Sequence, residues 1–180
     1  SRPMPHKNNK GFTLVELLVV LAIIAILVAV IFVALDPAAR FAQARDAVRQ
    51  NDVGEILSAI KLYQVDNGGD HLASIEALTA GSVYMAVNGA TMAAGCDDNN
   101  AQCDTDVTND TACVNIAGLV TDGYLPGAPV SPTGEVTWDD GNASGEEGSG
   151  YTLSVDANGI VTVRACESEF ANNPEIEIAR

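Results

Sequence analysis

Hydrophobic positions follow one another along this chain in three regimes. The first is an almost unbroken apolar run, FTLVELLVVLAIIAILVAVIFVAL at residues 12–35, whose single charge is Glu16; from Leu17 to Leu35 there are 19 consecutive residues without a polar side chain. An apolar helix of that length matches the roughly 30 Å hydrocarbon core of a bilayer. Asp36 and Pro37 close the run. Proline removes an amide donor and crowds the carbonyl four residues back, so the pattern predicts a kink or a melted turn near residues 33–37.

The second regime is one-sided. In AARFAQARDAVRQNDVGEILSAIKLYQVDNGG, Val53, Ile56, Leu57, Ile60 and Tyr63 recur at spacings of three and four, which gives a helix with one apolar stripe. Asn67, Gly68 and Gly69 supply its stop. Helix is therefore predicted from Phe12 to about Asp66, on the order of 80 Å long at 1.5 Å per residue if unbroken. The organisation read from the pattern is residues 1–11 as a polar lead-in, 12–35 as the apolar helix, 36–66 as the amphipathic helix and 67–180 as a globular domain.

The third regime consists of short segments. Ser74 is placed to cap a short helix, SIEALTAG, that stops at Gly81. Residues 82–112 read as loop-rich, Val114 to Thr121 as a short helix, and GYLPGAPVSPTG as a crossing loop. Alternation then predicts strands at 135–138, 151–156 and 160–166, the last two joined through Asp156 to Gly159, with DDGNASGEEGSG separating the first two. The sheet is expected to cover the Val53, Ile56 and Ile60 stripe, drawing on Tyr151, Leu153, Val155, Val161 and Val163 for its two faces. Trp138 is expected to pack in the core or on the sheet. The fold class is α+β: a long N-terminal helical spine carrying a small C-terminal antiparallel sheet.

Chemistry sharpens the start of the chain. A basic lead-in with Arg2, His6, Lys7 and Lys10 ends at Gly11, and Glu16 follows Phe12 by four residues. A carboxylate in an apolar helix costs on the order of 2.5–3.5 kcal/mol unless paired or protonated. No Lys or Arg lies on the apolar side of Glu16 to pair with it. The segment KGFTLVE resembles the class III signal of type IV pilins and pseudopilins, and KLYQVDNGGDHLASIEALTAG looks like the region where their spine helix ends.

That resemblance implies that a prepilin peptidase cuts between Gly11 and Phe12, that the new Phe12 amine is N-methylated, and that Glu16 pairs with the amine of an adjacent subunit. Met4 would open a leader of eight residues, leaving residues 1–3 upstream of it. Glu16 and the break at Pro37 are the positions expected to serve assembly. The implied life cycle begins in the cytoplasmic membrane and passes through an inner-membrane assembly platform to a homo-oligomeric helical filament on the cell surface. Such filaments serve adhesion, motility or DNA uptake. Two alternatives stay open: the major pseudopilin of a type II secretion system, and a single-pass membrane-anchored binding module that never assembles.

Charge narrows the partners. There are 9 basic and 24 acidic side chains, and removing Arg2, Lys7 and Lys10 with a leader leaves 6 against 24, a net of about −18. Such a surface repels phosphate backbones, so direct nucleic-acid binding is not expected. Arg40, Arg45 and Arg49 beyond the apolar run weaken a simple positive-inside count.

Cys96, Cys103, Cys113 and Cys166 form an even set that reads as two disulfides with three possible connectivities. The pairing expected is Cys96 with Cys103, closing an acidic loop, and Cys113 with Cys166. Asp97, Asp98, Asp104 and Asp106 in that loop are candidate calcium ligands, since calcium takes six to eight oxygens; their spacing departs from the twelve-residue calcium loop, and a solvated acidic loop is the preferred reading. No other cofactor is expected, and zinc lacks a close ligand set. His71 is the only histidine beyond the lead-in, and no nucleophile, acid and base set accompanies it, so the chain is not read as an enzyme.

Overall fold

The computed structural model describes residues 11–89, 102–108, 112–134, 136–138, 148–169 and 175–180. The chain divides into two compact units, the first ending at Arg40 and the second running from Phe41 to Arg180.

The first unit is dominated by α1 (Leu14–Leu35), in which no residue is buried. Apolar side chains go all the way round it, and its 22 residues correspond to about 33 Å. Asp36 then breaks the ladder in the left-handed region, φ 37°, and α2 (Pro37–Asp66) starts with proline at its first position. Proline suits that place because its missing amide has no partner to lose there.

In the second unit, α2 buries Asp46, Arg49, Val53, Ile56, Leu57, Ala59 and Ile60 along one stripe. A five-stranded sheet packs on that stripe in the order β2 (Val114–Asn115), β1 (Val83–Val87), β3 (Tyr151–Val155), β4 (Val161–Ala165), β5 (Glu177–Ala179). Three of the pairings are antiparallel, and β1 with β2 is parallel. The alternation of β3 and β4 places Tyr151, Leu153, Val161, Val163 and Ala165 in the core shared with α2. The five apolar residues named from sequence for two faces therefore share the helix-facing one, with Val155 at its margin. The opposite side of β4 is polar, where Arg164 bonds Ser154 across to β3 and Glu177 across to β5.

Strand β1 lies in the segment read as loop-rich. All five of its residues are buried: Tyr84 and Ala86 face α2, while Met85 and Val87 face a second core with Cys103, Val107, Cys113, Trp138 and Cys166. A strand covered on both faces loses the alternation by which strands are recognised. The converse error is the strand expected at 135–138. Val136 and Trp138 pack into the second core from irregular backbone, so their alternation reports one-sided burial without a ladder.

Two short helices differ in detail from expectation. In α3 (Ala73–Glu76) the N-cap is Leu72, with no side-chain cap bond. Ser74 instead donates to the Asn115 carbonyl at 2.6 Å, which ties the turn to β2. The stretch read as helix from Val114 is split, with β2 first and α4 (Ala117–Thr121) after it. Beyond α4, Tyr124 meets Tyr63 edge to face at 5.4 Å and closes that end of α2.

Candidate processing and assembly site

Gly11, Phe12 and Thr13 are non-helical and exposed, and nothing lies within 4 Å of the position a Gly11 side chain would take. The Gly11–Phe12 peptide bond thus sits in non-helical backbone ahead of the first helical residue, Leu14. Thr13 is the N-cap, and with Glu16 it forms a reciprocal capping box. The Glu16 amide donates to Thr13 Oγ1 at 3.2 Å, and Glu16 Oε2 accepts from the Thr13 amide and hydroxyl, both at 2.8 Å. The carboxylate is thereby fixed one peptide unit from the Phe12 nitrogen. Among the described residues Glu16 has no cationic partner.

Pro37 stands at the second sequence-derived assembly position, where it opens α2 directly after the left-handed Asp36. The Asp36 carboxylate accepts from the Ala39 amide at 3.4 Å, and its carbonyl accepts from the Arg40 amide at 3.2 Å, so the break is internally capped.

The disulfide pairing corrects the expectation. Cys103 is bonded to Cys166, and Cys113 is disulfide-bonded as well, so Cys113 and Cys166 do not pair. The reason is topological. Cys113 leads into β2 and Cys166 follows β4, three strand spacings away, about 14 Å, beyond the roughly 7 Å reach of a disulfide. The 102–108 segment instead runs beside β1 and the end of β4: the Thr108 amide donates to the Val83 carbonyl, and the Asp104 amide to the Cys166 carbonyl. Cys96, Asp97 and Asp98 lie outside the described residues. Asp104 and Asp106 are exposed, and no His, Cys, Asp and Glu group suited to a metal ion occurs among the described residues.

A constellation absent from the sequence reading lies where α2 meets the end of β4. Arg49 is fully buried. Its five donor positions are all used: Nε to Ser131 Oγ at 2.9 Å, Nη1 to Asp46 at 2.7 Å and Glu169 at 2.6 Å, and Nη2 to Glu167 at 2.6 Å and the Pro132 carbonyl at 2.9 Å. Arg45, one turn earlier, also grips Glu169 through Nε and Nη2. Burial pushes the Glu169 carboxyl up, and the hydrogen bonds from Arg45 and Arg49 outweigh it and hold it below the usual range. The loop carrying Gly134 closes on this cluster so tightly that a Cβ there would come within 2.1 Å of Glu169 and 2.9 Å of Arg49.

The signal was present in the register. Glu167 and Glu169 continue the helix-facing series Val161, Val163 and Ala165, opposite two arginines spaced i, i+4 on the buried side of α2. Arg45 and Arg49 are thus committed to the fold, and the charge count that clouded the orientation of α1 contained two arginines already neutralised.

Comparison with known proteins bears on part of the chain. A family profile described as the prokaryotic N-terminal methylation motif matches residues 6–32. The chain is also similar to the type IV wide pilus major component PilA4 of Thermus thermophilus, 44% identical over 61 residues, which cover 34% of this chain and 45% of that protein. It therefore spans just under half the length of the curated relative it matches. No solved structure matches it significantly.

Proposed function

We propose that this chain is a type IV pilin-like subunit of a surface filament, cut between Gly11 and Phe12, methylated at Phe12 and polymerised through α1; its methylation motif at residues 6–32 and its similarity to a type IV pilus component support the reading. The observation that carries the reading is α1 itself: 22 residues with none buried. Burial of apolar surface is worth roughly 25 cal/mol per Å², so this helix needs a bilayer first and neighbouring helices afterwards. The subunit is a building element and not a catalyst.

Glu16 supplies register. Its carboxylate is held by Thr13 and has no cationic partner among the described residues, so the amine released at Phe12 of an adjacent subunit completes it. The prepilin peptidase and an inner-membrane assembly platform are the partners this route requires. The cytoplasmic membrane holds the subunit before assembly, and the acidic second unit faces outward afterwards.

The test is N-terminal sequencing and intact mass of protein sheared from the cell surface. A chain starting at Phe12, heavier by one methyl group and without free thiols, is the expected result. A chain that still begins at or before Met4 and is confined to membranes would sink the assignment in favour of a single-pass anchored domain.

A further inference from the structure

Strand β4 ends at Ala165, and the four residues after it carry two different kinds of fastening to the rest of the fold. At the first, Cys166, the side chain is disulfide-bonded to Cys103, the amide donates to the Gly150 carbonyl at 2.8 Å, and the carbonyl accepts from the Asp104 amide. At the second and fourth, the Glu167 and Glu169 carboxylates hold Arg49 and Arg45 on α2, and the Glu169 amide donates to Asp46 at 3.1 Å. The disulfide lies on the side of the sheet away from α2, and the ion pairs lie on the side toward it. One short segment outside the strand ladder therefore joins both layers.

From this arrangement we infer that the Cys103–Cys166 disulfide and the Arg49 cluster form a single redox-gated clasp, in which oxidation of the cysteine pair sets residues 166–169 against α2 and reduction releases them. The coupling is geometric and electrostatic. The disulfide fixes the backbone one residue before Glu167, which restricts where both carboxylates can stand. The fully buried Arg49 guanidinium draws on those two carboxylates as well as on Asp46, and removing partners of a buried charge is destabilising. When the clasp opens, Arg49 loses two of its three carboxylate partners and keeps Asp46, so the α2 end of the domain loosens with it. The converse holds as well: with the carboxylates docked, Cys166 is held against Cys103, and the disulfide becomes harder to reduce.

The chemistry balances with a dithiol as reductant. The Sγ–Sγ bond breaks, two electrons and two protons pass from the dithiol to Cys103 and Cys166, and the dithiol closes to its own disulfide. In reducing surroundings the subunit thus keeps its sheet with the clasp open, and the α2 contact is completed on the oxidising side of the membrane.

The experiment is residue-resolved hydrogen exchange on the full chain in detergent micelles, with and without dithiothreitol, with alkylated peptides mapped to show which cysteines were reduced. Reduction of Cys103 and Cys166 is expected to strip protection at least tenfold from the Cys166 and Glu169 amides while the β3 and β4 amides of Leu153 and Val163 retain theirs. Unchanged protection at Glu169 overturns the clasp, and so does uniform loss across β3 and β4, which would make the bond a general staple. A second arm starts from the other side: Glu167→Gln combined with Glu169→Gln is expected to make Cys103–Cys166 at least tenfold easier to reduce at equilibrium. Arg164→Met, on the polar face, is expected to leave that equilibrium unchanged. Equal equilibria in the glutamine variant and the wild type would also overturn the coupling.

Discussion

Tyr151, at the start of the central strand β3, donates its phenol hydrogen to the Asp52 carboxylate of α2 at 2.5 Å, and the ring itself is fully buried. A hydrogen bond to a charged acceptor is worth about 1.5–3 kcal/mol. Tyr151→Phe should fall at the lower end, about 1.5 kcal/mol, because half-buried Asp52 can recover water. Asp52→Ala strips the phenol of its acceptor and should cost at least as much. Urea unfolding of the full chain in detergent, followed by far-UV circular dichroism of the second unit, measures both; an Asp52→Ala protein as stable as wild type would contradict the assignment.

The same pair gives a pH dependence. Burial first, and then the Asp52 carboxylate, push the Tyr151 phenol well above its ordinary value of about 10. A group whose pKa is raised on folding contributes stability that is complete below the unfolded value and is lost as pH climbs through the folded one. Wild type should therefore weaken above about pH 10, and Tyr151→Phe should weaken less over the same window. Parallel stability curves for the two proteins between neutral pH and pH 11 would show that the phenol is not the group responsible.

Glu169 works in the opposite direction. Its carboxyl is held below the usual range despite burial, through Arg45 and Arg49, so its contribution is present above the unfolded value near 4.3 and is lost as pH falls through the folded value. Glu169→Gln should lower stability at neutral pH and flatten the acid limb. Arg45→Met, which removes one of the two stabilising cations, should move the onset of acid unfolding upward in pH. An acid limb identical in slope and position for all three proteins would contradict this.

These residues also show where the sequence was legible. The spine was readable because its signals are local: an apolar run, an Asp–Pro break and a stripe at spacings of three and four. The β3–β4 hairpin was readable because one face is buried and its turn carries Asp156 to Gly159. Strand β1 was not, since burial on both faces erases its alternation. The disulfide pairing depended on strand order, which no local pattern encodes, and the Arg49 cluster joins residues 118 and 120 positions apart. At the start of the chain Gly11, Phe12 and Glu16 were evident as a motif. The reciprocal capping by Thr13 required the backbone to be seen.

Arg49 should be among the most sensitive positions in the second unit. Truncation to alanine leaves Asp46, Glu167 and Glu169 converging on an empty space with only Arg45 beside them, and breaking a buried pair in this way typically costs about 3–5 kcal/mol. Lysine would not rescue it, because an ammonium offers three donors where the site uses five in a planar fork. Expression level and urea midpoint should rank wild type above Arg49→Lys and Arg49→Lys above Arg49→Ala. A lysine variant equal to wild type would show that charge alone suffices.

Gly150 gives the strictest steric prediction. It precedes β3 with φ +77°, and a Cβ placed on it would meet Ser131 Cβ at 2.5 Å and Trp138 Cδ1 and Nε1 at 2.7 Å. Both neighbours are buried, so neither can swing into solvent. Alanine at Gly150 would combine a left-handed backbone, costing roughly 1–2 kcal/mol for an L-residue, with a clash of the overpacking kind, typically about 1–3 kcal/mol. The expected loss is therefore on the order of 2–5 kcal/mol, the sum of those two ranges. Because Ser131 also accepts from Arg49, the displacement should reach the ion cluster. Trp138 is the chain's only tryptophan, which makes its fluorescence a direct reporter: Gly150→Ala should shift the emission to the red and raise its accessibility to a neutral quencher. An unshifted spectrum with an unchanged urea midpoint would mean that the Ser131 and Trp138 contacts yield without cost.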